Sequence, residues 1–273
     1  MAAITPANTY NQSLTSLAII EAARRLWTAW QHHERMPTFE TGLQPQTIAD
    51  GYAIQEELIK RTRLPVIGWK IGATNRTAQQ QLALPGPLSG RLLAPFCHDS
   101  PATFDSRCFG IRALEPEVAF RLGTDLPALD HPYDARNVMA AIEIAYPALE
   151  IPDTRWKDWA TVGAPAFIAD NAAAGHLVLG PAVLEWANTD FASLKARLLV
   201  NEVSVEFGRG ADVLDSPLNA LAWLANHAIK LGQPLKTGDI VITGTCTRIG
   251  FADAGDRVIA EFHGFGSAEA QFN

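Results

Sequence analysis

The chain has 273 residues and a formal net charge of −7, with 48% of its residues hydrophobic and 19% charged. That is the composition of an ordinary globular protein with one large core or two smaller ones. The acidic balance and the lack of any basic block argue against a nucleic-acid surface, and the apolar runs are too short and charge-interrupted for a membrane span.

From Ser13 to Gln31, Ile20, Ala23, Trp27 and Trp30 recur at helical spacing with Glu21 and Arg24 between them, which predicts an amphipathic helix. The opening stretch, MAAITPANTYNQSLTSLAIIEAARR, lacks the basic start and apolar centre of a secretory signal. Cys97, Cys108 and Cys246 lie far apart with no C-x-x-C, so neither a disulfide framework nor a cysteine-rich zinc site is expected. A cytoplasmic protein fits all of this. His32 and His33 follow the helix and read as surface residues.

A second helix is predicted over Thr47 to Arg61, with Ile48, Tyr52, Leu58 and Ile59 on one side and Pro65 beyond its end. VIGWKIGAT (66–74) is a strand by its Val, Ile and Trp content, and LALPGPLSG (82–90) is a loop by its Pro and Gly content. From about residue 111 short β-like runs dominate: ALEPEVAFRL, AAIEIAYPALEI, GHLVLGPAVLEW, ARLLVNEVSVEFG, DIVITGT and RVIAEFHG. One helix interrupts them at 216–232, with Ser216 at its cap, Pro217 in its first turn and Gly232 at its end. The order is that of an α+β chain, a helical N-terminal lobe over 1–65 and a mainly β body over 66–273, joined as one unit.

ALEPEVAF places Glu115 and Glu117 two apart in a strand, hence on one face, in an otherwise apolar run. Two such charges repel and resist burial unless something lies between them, and a divalent cation answers both objections. A solvated edge strand marked by Pro116 is the plainer alternative. Most such sites want a third carboxylate: Glu150, in PALEIPD, follows Ala-Leu as Glu115 does, and Glu143, in AAIEIAY, is its rival.

Lys70 is the second unusual residue, an ammonium inside an apolar strand flanked by Gly68 and Gly72, which must snorkel to water or meet an anion. TGTCT (243–247) offers hydroxyls and backbone N–H groups suited to gripping a carboxylate. Asp170 and Asn171, in ADNAAAG, read as a helix cap or a polar contact, and the tryptophans of TRWKDWA read as packing. No G-x-S-x-G, P-loop, H-E-x-x-H or post-strand G-x-G-x-x-G occurs.

In order along the chain, GYAIQEELIKR, GWKIGAT, LEPEVAF, PALEIPDTRW, ADNAAAG, LNALAWLAN and GDIVITGT resemble the hydratase/decarboxylase branch of the fumarylacetoacetate hydrolase superfamily, over roughly residues 15–272. The resemblance implies a mixed β-sandwich-like roll with a helical N-terminal part and a metal at its mouth. It implies Glu115, Glu117 and Glu150 as ligands of Mg²⁺ or Mn²⁺, Lys70 as the active-site lysine, and Thr245 as a substrate-carboxylate contact. Asp170 and Asn171 are carried as further substrate contacts.

The implied activity is Mg²⁺-dependent hydration of a short 2-hydroxy-dienoate or 2-oxo-alkenoate from aromatic-compound breakdown, by a homo-oligomer that binds neither nucleic acid nor membrane. Decarboxylation of a 2-oxo-enedioate is the alternative. Acylpyruvate-type C–C hydrolysis and metal-dependent 2-oxo-acid binding without turnover are more distant ones. The branch's hydratases carry an Asp in the loop after the lysine strand, where this chain has Leu88, so Leu88→Asp is expected to raise hydration. The His-x-x-Glu of the C–C hydrolases is missing, since His33 is followed by Met36 at that spacing. Arg112, Arg155 and Arg248 are candidates to meet a second substrate carboxylate.

Overall fold

The computed structural model describes residues 13–273; residues 1–12, part of the expected N-terminal lobe and of the stretch read for a signal, lie outside it. The helices are α1 (Ser16–Gln31), α2 (Ile48–Thr62), α3 (Arg76–Gln81), α4 (Ala135–Met139), α5 (Ala164–Ala169) and α6 (Pro217–Lys230). The strands begin with β1 (Val66–Gly72), β2 (Leu88–Leu93), β3 (Cys97–Asp99), β4 (Ala102–Phe104), β5 (Ala113–Leu122), β6 (Ile142–Ile151) and β7 (His176–Leu179). They continue with β8 (Lys195–Val200), β9 (Val203–Arg209), β10 (Ile240–Thr245), β11 (Gly250–Phe251), β12 (Arg257–Phe262) and β13 (Gly266–Phe272).

Two sheets make the body. One is ordered β2-β1-β10-β5-β6-β7-β3, with β11 added against β5, and the other β4-β13-β12-β8-β9. A single core fills the space between them. Phe120, Leu122 and Leu149 from the first sheet and Leu198, Val258, Phe262 and Phe272 from the second are all buried in it. Helix α6 closes one side of that core through Ala220, Leu221, Leu224 and Ala228. The expected α+β, sandwich-like architecture is therefore present.

The helical lobe has a core of its own, in which Ala22, Ala23 and Leu26 of α1 meet Ile54 and Leu58 of α2, Trp156, and Ala166 and Ala169 of α5. Its entry is fixed by Asp50, whose carboxylate accepts from Ser13 N (2.7 Å), Ser13 Oγ (2.7 Å) and Leu14 N (2.9 Å). Burial works to raise that carboxyl, but these donors and Thr47 hold it well below its ordinary value. The buried stripe of α1 is rotated from the expected one. Alanines 22, 23 and 29 let the helices approach closely, whereas Ile20 faces outward.

Three other details differ from expectation. ARLLVNEVSVEFG is a hairpin, β8–β9, turned by Asn201 and Glu202 at φ 49° and 67°. GHLVLGPAVLEW yields only the short β7. The loop reading of 82–90 stops early, because Leu88 already begins β2, paired to Gly72 of β1.

Candidate metal centre

Strands β5 and β6 pair antiparallel with Glu115 directly opposite Glu150, and Glu117 lies one pleat along on the same face of β5. One oxygen from each carboxylate falls within 4.8 Å of the others. Glu117 and Glu150 are fully buried, and Glu115 is partly open. Lys70 reaches the cluster from β1, two strands away across β10, and its Nζ lies 2.7 Å from Glu150 Oε1. The contact is ionic rather than a well-aligned hydrogen bond, for Glu150 Oε1 and Oε2 both lack a hydrogen-bond partner. Glu117 Oε2 accepts from Gly244 N at 2.6 Å, while Oε1 has none.

With all three ionised, the carboxylates would outweigh the one ammonium by two negative charges in a buried site. Burial raises the Glu115 carboxyl to about 8, with the Glu150 charge adding and Lys70 opposing. Burial likewise raises Glu117 well above its ordinary value, reinforced by Glu150 and Glu115. For Lys70, burial works to remove the charge, but Glu150, Glu115 and Glu117 together outweigh it and hold the ammonium. Orphaned buried carboxylate oxygens whose ionisation is held back by burial and mutual repulsion are what a hard divalent cation satisfies, and the all-oxygen donor set fits Mg²⁺ or Mn²⁺.

The cluster sits on the floor of a cavity of about 700 Å³ onto which Lys70, Glu115 and Thr245 open. Its other walls are largely apolar: Ile111, Trp159, Phe167, Phe207, Ile249 and Phe251. Trp159, which the sequence reading assigned to packing, thus lines the cavity, whereas Trp156 is core and donates its indole N–H to Ala166 O.

The TGTCT turn does grip a carboxylate, but one belonging to the protein. Gly244 N holds Glu117, Cys246 N donates to Pro116 O (2.7 Å), and Thr247 N donates to Thr245 Oγ1 (3.3 Å). Thr245, whose hydroxyl makes long contacts with Thr247, and Thr247, whose hydroxyl donates to Arg248 O, remain at the cavity. Gly244 has φ 105°, and a Cβ there would stand 2.1 Å from Thr74 Oγ1. The turn therefore needs glycine.

Asp170 and Asn171 are not brought to the cavity, whose wall at this point is Ala172 and Ala173. Asp170 is buried, accepts from Thr154 Oγ1 (2.7 Å) and pairs with Arg155 Nε. The Asn171 amide bridges the backbone of Arg91, accepting from its N (2.7 Å) and donating to its O (2.9 Å). Both side chains are spent on holding the loop. Glu143 is exposed and paired with Arg121, so it is not a ligand.

Leu88 also departs from its expected place. It is fully buried and packs with Tyr52, Leu82, Ile168 and Ala172 rather than facing the cavity. Of the three arginines, Arg155 is buried against Asp170, and Arg112 is held by Ala252 O and Ser106 O. Arg248 alone stands at the cavity mouth, 87% exposed and 3.1 Å from Glu206.

The family described as fumarylacetoacetate (FAA) hydrolase C-terminal matches residues 105–273. The 2-keto-4-pentenoate hydratase of Paraburkholderia xenovorans is 31% identical over 255 residues, covering 92% of this chain and 94% of the relative. The 2-keto-4-pentenoate hydratase 1 of Dechloromonas aromatica is 34% identical over 227 residues, covering 81% and 84%. Among solved structures, 4-oxalocrotonate decarboxylase from Pseudomonas putida G7, complexed with magnesium and adipate, superposes with a TM-score of 0.89 at 26% identity, covering 96% of this chain and all of that one.

Proposed function

The chain belongs to the fumarylacetoacetate hydrolase superfamily and is a metal-dependent lyase of its hydratase/decarboxylase branch, and we propose from that premise that it hydrates a short 2-hydroxy-dienoate or 2-oxo-alkenoate. The observation that carries the reading is the buried cluster of Glu115, Glu117, Glu150 and Lys70 on the floor of a cavity with largely apolar walls. A monocarboxylic dienoate has one charged end for that floor and an apolar remainder for those walls.

Glu115, Glu117 and Glu150 would hold Mg²⁺ or Mn²⁺, which supplies Lewis-acid stabilisation of negative charge on the substrate's 2-oxygen. Lys70 holds a proton at Nζ within reach of the same floor, and we assign it proton transfer to and from the dienol. Thr245 Oγ1 positions the substrate carboxylate. Trp159 and Phe167 shield the conjugated chain from bulk water and leave the mouth as the route for the added water.

Decarboxylation of a 2-oxo-enedioate is the second reading, favoured by Arg248 at the mouth and by the likeness to the decarboxylase. Incubation with 2-hydroxypenta-2,4-dienoate and, separately, 4-oxalocrotonate, each with Mg²⁺, decides between them. A hydrated 4-hydroxy-2-oxo acid from the first supports hydration. CO₂ released from the second, with the first left untouched, makes it a decarboxylase.

We also propose that the chain works in the cytoplasm as a homo-oligomer. The unpaired Cys97, Cys108 and Cys246 support the first, as does the fact that no helix among the described residues is long and apolar enough to cross a membrane. Val203, Val205 and Phe207, which stand exposed along the edge strand β9, support the second. The core shared by α1, α2 and α5 supports segments 1–65 and 66–273 acting as one unit.

A further inference from the structure

Trp69 and Lys70 are neighbours on β1 and so point to opposite faces of the sheet. Lys70 faces the metal cluster. Trp69 faces a second cavity, of about 590 Å³, on the side of α1 and α2. Across the ladder from Trp69 is Arg91, whose guanidinium Cζ lies over the indole, 3.2 Å from the ring centroid.

The Arg91 guanidinium has no hydrogen bond and no ion pair among the described residues. It is partly buried, and burial lowers it to about 10 despite the fields of Asp239 and Glu56. Its five N–H donors, unmet by protein acceptors among the described residues, open toward the cavity and are available to water or to a ligand there. The indole covers the central carbon of the group and leaves its N–H donors without a protein partner among the described residues, and such a fork can take a carboxylate through two parallel bonds. The backbone of Arg91 is clamped by Asn171, which fixes the base of this side chain.

The remaining lining sets the ligand's class. Ile19, Ile20, Ile59, Val66 and Leu231 are apolar, and Ile20 and Val66 are exposed at the rim, which calls for an apolar body. Lys60, the other cation here, is spent on Glu56 at 2.7 Å. Glu57 is spent on Arg61 at 3.3 Å, and the field of Asp239 at Arg91 disfavours a dianion such as phosphate.

We propose that this cavity is a second ligand site, separate from the metal centre, that binds a monocarboxylate with an apolar body through the Arg91 guanidinium. The site stands independently of the reaction assigned above.

The test uses 4-fluorobenzoate, followed by ¹⁹F NMR, with the full chain in EDTA. Saturable binding is expected in the unaltered protein, and Arg91→Met should weaken it at least tenfold. Arg91→Lys, which keeps the charge but not the fork, should fall between them and serves if the Met variant fails to fold. Saturating Mg²⁺ with oxalate, which would fill the metal cavity, should leave the binding unchanged. Displacement by Mg²⁺ and oxalate would overturn the proposal, as would equal affinity in both variants or equal binding of 4-fluorobenzyl alcohol. So would the absence of binding together with dissociation of an assembly by Arg91→Met in sedimentation velocity, since the guanidinium would then be met by a carboxylate of a second copy.

Discussion

Replacing Lys70 with methionine separates the two duties proposed for it, balancing charge and moving a proton. The Lys70–Glu150 pair is buried on both sides at 2.7 Å. Removing one partner of such a pair costs about 3–5 kcal/mol, because the other is left as an uncompensated buried charge. In EDTA the melting temperature should therefore fall by roughly 5–15 °C for a chain of this size. A divalent cation supplies the missing positive charge, so Mg²⁺ should restore most of that loss, and the Mg²⁺-induced rise should be larger in the variant than in the parent. Turnover should nevertheless drop by about 10²–10⁴-fold, the usual worth of a positioned proton donor. Thermal unfolding with EDTA and with Mg²⁺, followed by steady-state rates, reads all three quantities. An equal melting deficit with and without Mg²⁺ would refute the charge argument, and undiminished turnover would refute the proton-transfer role.

Other perturbations follow from the same geometry. Leu88→Asp, which the sequence alone casts as a gain of an acid, buries a carboxyl among Tyr52, Leu82 and Ile168; it should cost about 3–5 kcal/mol in denaturant unfolding and give no rise in rate. Gly244→Ala forces a Cβ against Thr74 and displaces the N–H that holds Glu117, so calorimetry should show Mg²⁺ affinity reduced more than tenfold. Burial lowers His176 and His227 to about 4 each, with His98 and Lys230 respectively contributing. The unfolded chain then takes up protons near pH 6.5 that the native state refuses until about pH 4, and stability is lost as pH falls through that window, by up to about 3 kcal/mol per histidine. His227→Phe should shift the acid unfolding midpoint downward, and an unmoved midpoint would show that this ring does not titrate as described.

The parts of the site legible in the sequence were those where a local pattern clashes with its surroundings. Glu115 and Glu117 in an apolar strand, and Lys70 in another, announce themselves because burying a charge needs a partner. The choice of Glu150 over Glu143 was not settled by the pattern itself. It depends on the β5–β6 register, a long-range property that sets Glu150 opposite Glu115 and leaves Glu143 paired with Arg121 at the surface.

Asp170 and Asn171 misled for a related reason. A buried polar side chain signals an obligatory partner but does not say whether that partner is a substrate or the protein's own loop. Trp159 was missed because an aromatic in a loop reads alike whether it packs or lines a cavity. The short strands β3 and β4 were missed because three residues carry no period.

The claim on which everything else rests is that Glu115, Glu117 and Glu150 hold the cation that drives hydration. Its most direct test is the ultraviolet absorbance of 2-hydroxypenta-2,4-dienoate with the unaltered protein and with Glu117→Gln, each in Mg²⁺ and in EDTA. The account predicts rapid loss of the dienoate band only for the unaltered protein with Mg²⁺, with a hydrated product. Equal loss in EDTA, or full activity in Glu117→Gln, would contradict it.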